Sequence, residues 1–128
     1  DTGEEAFFRR HSDVSWHVMG DGFTWDTQNR SADIASARAG WEQARALLRD
    51  PAVALVILDE LNIVLKYGYL DVAEVIADLQ ARPLMQHVIV TGRGAPDALV
   101  AAADTVTDMG ATKHAFKAGI AAQAGLEF

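Results

Sequence analysis

Asp59 and Glu60 stand side by side at the end of the apolar run Leu55-Val56-Ile57-Leu58, and Asn62 follows two residues later. Two carboxylates and an amide offer oxygen atoms, the donors that a hard cation such as Mg²⁺ takes. The run before them is apolar without alternation, as in a strand buried on both faces of a parallel sheet. Open α/β sheets bind ligands at the carboxyl ends of their strands, where both carboxylates fall. Neighbouring residues of an extended chain point to opposite faces, so one carboxylate faces a ligand and the other a neighbouring loop. The same residues also suit a polar strand end or a helix start, where acidic side chains are favoured. The pattern leaves both readings open.

Three further groups invite a chemical reading. Phe23 and Trp25 flank Thr24 behind the flexible turn Gly20-Asp21-Gly22. Alternate residues of an extended loop project to one side, so the two rings form either a wall for a flat ligand or ordinary core. Arg93 sits between Gly92 and Gly94. A guanidinium beside exposed backbone amides can meet a phosphate, and the same turn can be plain surface. Lys113, His114 and Lys117 form a compact cationic cluster, either directed at phosphate or a solvated tail. His11, His17 and His87 lack metal-ligand spacing and read as structural. No serine nucleophile elbow, zinc-protease helix, dinucleotide glycine fingerprint or phosphate-binding loop is present in these residues.

The elements that must position these residues alternate. A short helix is expected over 3–11 and a strand over 15–19. A helix follows from about Ser31 to Arg49, where Ile34, Ala37, Trp41, Ala44 and Leu48 recur at intervals of three and four. Pro51 stops it and the strand at 53–58 follows. Leu61 to Tyr67 is a short helical or irregular piece ended by Gly68. Asp71 and Glu74 form a start signal resembling a capping box. The helix behind them buries Val72, Val75, Ile76 and Leu79 and closes at Pro83. A strand over 87–91, a helix opened by Pro96 and running through Ala103, and a last strand over 105–109 complete the order. Such alternation calls for an α/β fold, with a mostly parallel sheet and flanking helices. Strand ends of one parallel sheet share an edge, so 20–28, 59–62, 91–94 and 108–114 can converge.

The length of 128 residues fits a single domain spanning 1–128. A net charge of −7 argues against a general nucleic-acid partner, which needs clustered cations. There is no cysteine, hence no disulfide, cysteine zinc site or thiol nucleophile, which suits a reducing cytoplasm. No apolar run reaches the roughly 20 residues that span a membrane.

Together these motifs resemble the corrinoid adenosyltransferases of the P-loop type. The resemblance is carried by Gly22-Phe23-Thr24-Trp25-Asp26-Thr27-Gln28, Leu58-Asp59-Glu60-Leu61-Asn62 and Lys66-Tyr67-Gly68-Tyr69-Leu70. It continues through Thr91-Gly92-Arg93-Gly94-Ala95-Pro96, Lys113-His114-Ala115-Phe116-Lys117-Ala118-Gly119-Ile120 and the final Glu127-Phe128. It implies transfer of the 5′-deoxyadenosyl group of ATP to Co(I) of cobalamin or cobyrinic acid a,c-diamide, with release of triphosphate. Cobalt is then the nucleophile, and no catalytic side chain is required. Phe23 and Trp25 would lie against one face of the corrin, excluding water and the lower base so that a four-coordinate cobalt accepts an electron more readily. Asp59 and Glu60 would serve Mg²⁺. Asn62, Arg93 and Lys113 are weaker candidates for phosphate or substrate contacts. A reductant such as a flavoprotein, a homodimer and a cytoplasmic location are implied as well. The implied fold is of the P-loop NTPase (RecA-like) type with its N-terminal βαβ unit missing, because family members place a strand, a phosphate-binding loop, a helix and a second strand before the segment matching Asp1-Thr2-Gly3-Glu4-Glu5. These 128 residues alone are therefore expected to have little or no transferase activity. The alternatives are a non-catalytic corrinoid- or nucleotide-binding module and a P-loop ATPase-like domain.

Overall fold

Two apolar runs pair as strands because neither can satisfy its backbone alone. In the computed structural model, which describes residues 2–19 and 29–124, β1 (Leu55–Leu58) and β2 (His87–Val90) form a two-stranded parallel sheet. Leu55 lies opposite His87, Val56 opposite Val88, Ile57 opposite Ile89 and Leu58 opposite Val90. The ladder extends beyond both ends, with His87 N donating to Ala54 O at 2.9 Å and Thr91 N donating to Leu58 O at 3.2 Å. Since the strands run parallel, Asp59 and Thr91 leave the sheet at the same edge.

The chain divides into two compact units, one joining Asp1–Val18 to Thr107–Phe128 and the other spanning Met19–Val106. In the first, α1 (Gly3–Phe8) is capped by Thr2, whose hydroxyl accepts from Glu5 N. Phe8 stacks on Trp16 with ring centroids 5.9 Å apart. A 3₁₀ turn follows at Ala115–Ala118.

The second unit holds the sheet and the core. Its longest helix, α2 (Arg30–Arg49), buries Ala37, Trp41, Ala44 and Leu48, the stripe the spacing predicts. Asn29 caps it by accepting from Ala32 N. The stripe packs with Val56 of β1, with Leu61 and Leu65 of α3 (Leu61–Lys66), with Val75 of α4 (Val72–Gln80) and with Leu99 of α5 (Asp97–Ala102). Each such side chain contributes about 1.5–3 kcal/mol by leaving water. Asp71 caps α4 through Ala73 N. Glu74 does not complete a capping box but reaches Arg45 instead.

Polar clamps fix how the helices dock. Asp78 accepts from Trp41 Nε1 at 2.8 Å and from Arg45 Nε at 2.7 Å, joining α2 to α4. Burial alone would raise the Asp78 carboxyl, but the hydrogen bonds from Arg45 and Trp41, together with the charges of Arg45 and Arg49, hold it below the usual range. Gln86, just ahead of β2, is buried. Its Nε2 donates to the carbonyls of Leu47, Asp50 and Val53 at 3.1, 3.1 and 3.0 Å, two of them beyond the last turn of α2 and one within it. Leu47 O also accepts from Asp50 N and Asp50 O from Val53 N, so the amide adds a second donor to these two carbonyls and ties the end of α2 to the loop behind it.

Two expected strands do not form. Residues 15–19 and 105–109 are not strands, and β1 and β2 are the only ones among the described residues. A strand needs a ladder partner and a face to bury. Val106 and Met109 are 57% and 92% exposed, and Ser15 Oγ meets His17 Nε2 at 2.6 Å in an exposed hydrogen bond. No helix among the described residues is long and apolar enough to cross a membrane.

Candidate functional site

The site is built where β1 and β2 end. Immediately after β1, Asp59 turns its carboxylate toward the other strand, and Thr91 Oγ1 donates to Asp59 Oδ1 at 2.6 Å. The same hydroxyl accepts from Glu60 N at 3.0 Å. Asn62 N donates to Thr91 O at 3.3 Å, and Asn62 Nδ2 donates to Gly92 O at 3.0 Å. Two loops that meet only because the strands are parallel are thus stitched side by side.

This stitching separates the two carboxylates. Glu60 has φ of 58°, the left-handed region, which a residue with a Cβ avoids at a cost of about 1–3 kcal/mol. It occupies the N-cap position of α3, yet its side chain caps nothing. Glu60 is thus at a helix start, as the alternative reading of the acidic pair has it, but without a side-chain cap. Its side chain instead lines an open cleft of about 490 Å³, shared with Ile63, Lys66, Tyr67 and Arg93. One carboxylate thus faces the cleft and the other faces the β2 loop.

The cleft carries charge of both signs. Lys66, on the last turn of α3, runs beside Gly94, and a Cβ on Gly94 would stand 3.5 Å from Lys66 Cδ. Gly94 and Gly92 hold Arg93 between two left-handed φ angles, 70° and 123°, so Arg93 owes its presentation to its neighbours. At the cleft edge the rings of Tyr67 and Tyr69 stack with centroids 5.7 Å apart. Arg30 spans them, donating to Tyr67 O at 3.0 Å and lying 5.2 Å from the Tyr69 ring centre. Carboxylate, ammonium, guanidinium and ring together suit a ligand with a metal-chelated anionic part and a flat part.

Asp59, Glu60, Asn62 and Arg93 are brought together as the strand order implies. Asn62 is buried, its amide held by Gly92 O, and its Oδ1 has no hydrogen-bond partner among the described residues. Lys113 belongs to the first compact unit. Beside it His114 Nδ1 accepts from Phe116 N at 3.1 Å, so the histidine of that cationic cluster caps the 3₁₀ turn. Phe23 and Trp25 lie outside the described residues. Lys66 and the Thr91 hydroxyl were not singled out by sequence. Thr91 carries a signal in retrospect, since it directly follows an apolar strand whose parallel partner ends in Asp-Glu.

The donor set suits a hard cation that keeps part of its own shell. No cluster of three or more His, Cys, Asp or Glu side chains that could hold a metal ion exists among the described residues. Mg²⁺ is commonly held by one or two carboxylates, with water and substrate phosphates filling the octahedron. Glu60, which lines the cleft, could supply one such carboxylate, while Asp59 Oδ1 is held by the Thr91 hydroxyl.

Comparison with known proteins gives a consistent picture. The family described as "ATP:corrinoid adenosyltransferase BtuR/CobO/CobP" matches residues 1–128. A Pseudomonas aeruginosa protein named "Corrinoid adenosyltransferase" is 66% identical over 99% of this chain and 63% of its own length. A Sinorhizobium protein of the same name is 48% identical over 99% of this chain and 61% of its own length. The Salmonella typhimurium "Corrinoid adenosyltransferase CobA" is 45% identical over 98% of this chain and 64% of its own length. The chain therefore spans less than two thirds of each of these relatives.

Proposed function

Because the chain belongs to the ATP:corrinoid adenosyltransferase family, we propose that it forms part of an enzyme that moves the 5′-deoxyadenosyl group of ATP onto the Co(I) centre of a corrinoid. The observation that carries the reading is the convergence of Glu60, Lys66 and Arg93 on one cleft at the carboxyl edge of β1 and β2. A cobalt–carbon bond forms at C5′, the bond from C5′ to the phosphate oxygen breaks, and its electron pair leaves with the triphosphate. Cobalt supplies the nucleophile, so the protein needs neither an activated serine nor a general base. Its work is to orient two large substrates and to offset the charge of the leaving group.

Glu60 and Asp59 would hold Mg²⁺, which when bound draws charge from the phosphate oxygens. Lys66 and Arg93, which line the same cleft, would present positive charge to the same anion. Arg93 adds a planar fork suited to two phosphate oxygens. Phe23 and Trp25 are proposed as the apolar contact for the corrin that would exclude water from the cobalt. The sheet is read as part of a P-loop NTPase-type fold, working in the cytoplasm as a homodimer with a reductant such as a flavoprotein.

The test follows the corrinoid directly. The full-length polypeptide is supplied with ATP, Mg²⁺, a reductant and cob(II)alamin, and growth of the adenosylcobalamin spectrum is followed. Phosphate release with an unchanged corrinoid spectrum would replace the transferase reading with that of an ATPase.

A further inference from the structure

We propose that Thr91 is a positioning residue for the metal-binding end of this site, acting through a single hydroxyl that holds the Asp59 carboxylate and the backbone of Glu60 at once. The proposal rests on the reading that Asp59 and Glu60 serve a nucleotide-bound divalent cation.

The hydroxyl uses its donor and an acceptor position together. It donates to Asp59 Oδ1 at 2.6 Å and accepts from Glu60 N at 3.0 Å. A carboxylate is free to turn about its last bond, and a short hydrogen bond from a fixed donor removes that freedom. With Oδ1 committed to Thr91, Oδ2 is the oxygen left to meet a further partner. The second bond acts on the backbone. It fixes the peptide entering Glu60, where the chain takes φ of 58°. That turn aims the Glu60 side chain into the cleft beside Lys66 and Arg93.

Thr91 can do this because its own position is determined on both sides. Its N–H donates to Leu58 O at 3.2 Å and its carbonyl accepts from Asn62 N at 3.3 Å. The hydroxyl is therefore mounted on the end of the parallel ladder. Groups that orient a metal's carboxylate ligands from behind typically control affinity by about 10–100-fold. A strand-ending threonine with no such role would be replaceable by valine, which has the same shape and the same β-branched preference for a strand.

The experiment uses the full-length polypeptide as wild type, Thr91→Val, Thr91→Ser and Glu60→Gln. Mn²⁺ is titrated in the presence of ATP and free ion is read by electron paramagnetic resonance, with thermal unfolding run in parallel. Thr91→Val is expected to weaken Mn²⁺ binding by about 10-fold or more at an unchanged unfolding midpoint, whereas Thr91→Ser stays near wild type. If Glu60→Gln weakens Mn²⁺ binding and Thr91→Val does not, the role of Thr91 is overturned and the metal reading stands. If Glu60→Gln changes nothing, the metal reading falls and the role of Thr91 falls with it. Failure of Thr91→Ser to bind better than Thr91→Val also overturns the proposal, because the hydroxyl is then not the cause. Should Thr91→Val not fold, Thr91→Ala takes its place in the titration. Loss of folding in both assigns Thr91 to the fold alone and overturns the positioning role.

Discussion

Replacing Gly92 by alanine tests the geometry of the site without touching any charged group. Gly92 has φ of 123°, a region that residues with a Cβ rarely enter. A Cβ built there stands 3.0 Å from Asn62 Cβ and 3.4 Å from both Asn62 N and Glu60 Cα. Two of those three atoms are backbone, so no side chain can swing away to make room. Backbone strain of this kind costs about 1–3 kcal/mol, and an overpacked contact about 1–3 kcal/mol more. Part of the strain and clash is relieved by the same small shift, so the expected loss is about 3 kcal/mol. With a urea dependence of about 1–3 kcal/mol per molar, the unfolding midpoint falls by about 1 M or more. Gly110→Ala is the control. Gly110 has no atom within 4 Å of a built Cβ and no left-handed φ, so the stability of this variant stays within about 0.5 kcal/mol of wild type. Urea unfolding followed by far-ultraviolet circular dichroism reads both variants. A Gly92→Ala midpoint equal to that of Gly110→Ala would refute the claim that the loops after β1 and β2 are in forced contact.

Three other outcomes are expected. The Asp78 carboxyl titrates lower folded than unfolded, so its stabilisation is complete above the ordinary aspartate value of about 3.9 and is lost as pH falls through the folded value. Urea midpoints measured from pH 6 down to pH 3 should fall less steeply for Asp78→Asn than for wild type. Gln86→Leu keeps the bulk but removes the donor to three carbonyls, which should cost about 1–3 kcal/mol by chemical denaturation. In the full-length polypeptide, Phe23→Ala with Trp25→Ala should impair reduction of bound corrinoid, read spectroscopically, more than it weakens ATP binding, read by calorimetry. Equal loss of both would assign the rings to packing.

Periodic segments were legible in the sequence, and contacts between distant loops were not. The stripe of α2 and the placement of β1 and β2 follow from local pattern, but burial of the strands on both faces does not hold among the described residues, since Leu55, Ile57 and Ile89 are 47%, 59% and 48% exposed. The parallel alternation then brings Asp59 and Arg93 to one edge without further information. The runs at 15–19 and 105–109 have local strand character too, but pairing is a property of two segments, and neither is paired among the described residues. Glu60 in a left-handed turn could not be read from a residue type that rarely adopts one. The Thr91 bridge spans 32 residues and depends on register. Gln86 read as a polar residue beside a strand, since nothing local announces that three carbonyls from another element end at its amide.

That amide has a kinetic meaning as well as an energetic one. Gln86 immediately precedes the first paired residue of β2, and the carbonyls it holds belong to the end of α2 and the loop that leads into β1. A slip of the ladder by one residue would carry Gln86 away from all three at once. The alternative registers open to a pair of short, similar apolar runs are thereby made unequal. Folding of the sheet then selects the one alignment in which Thr91 arrives opposite Asp59.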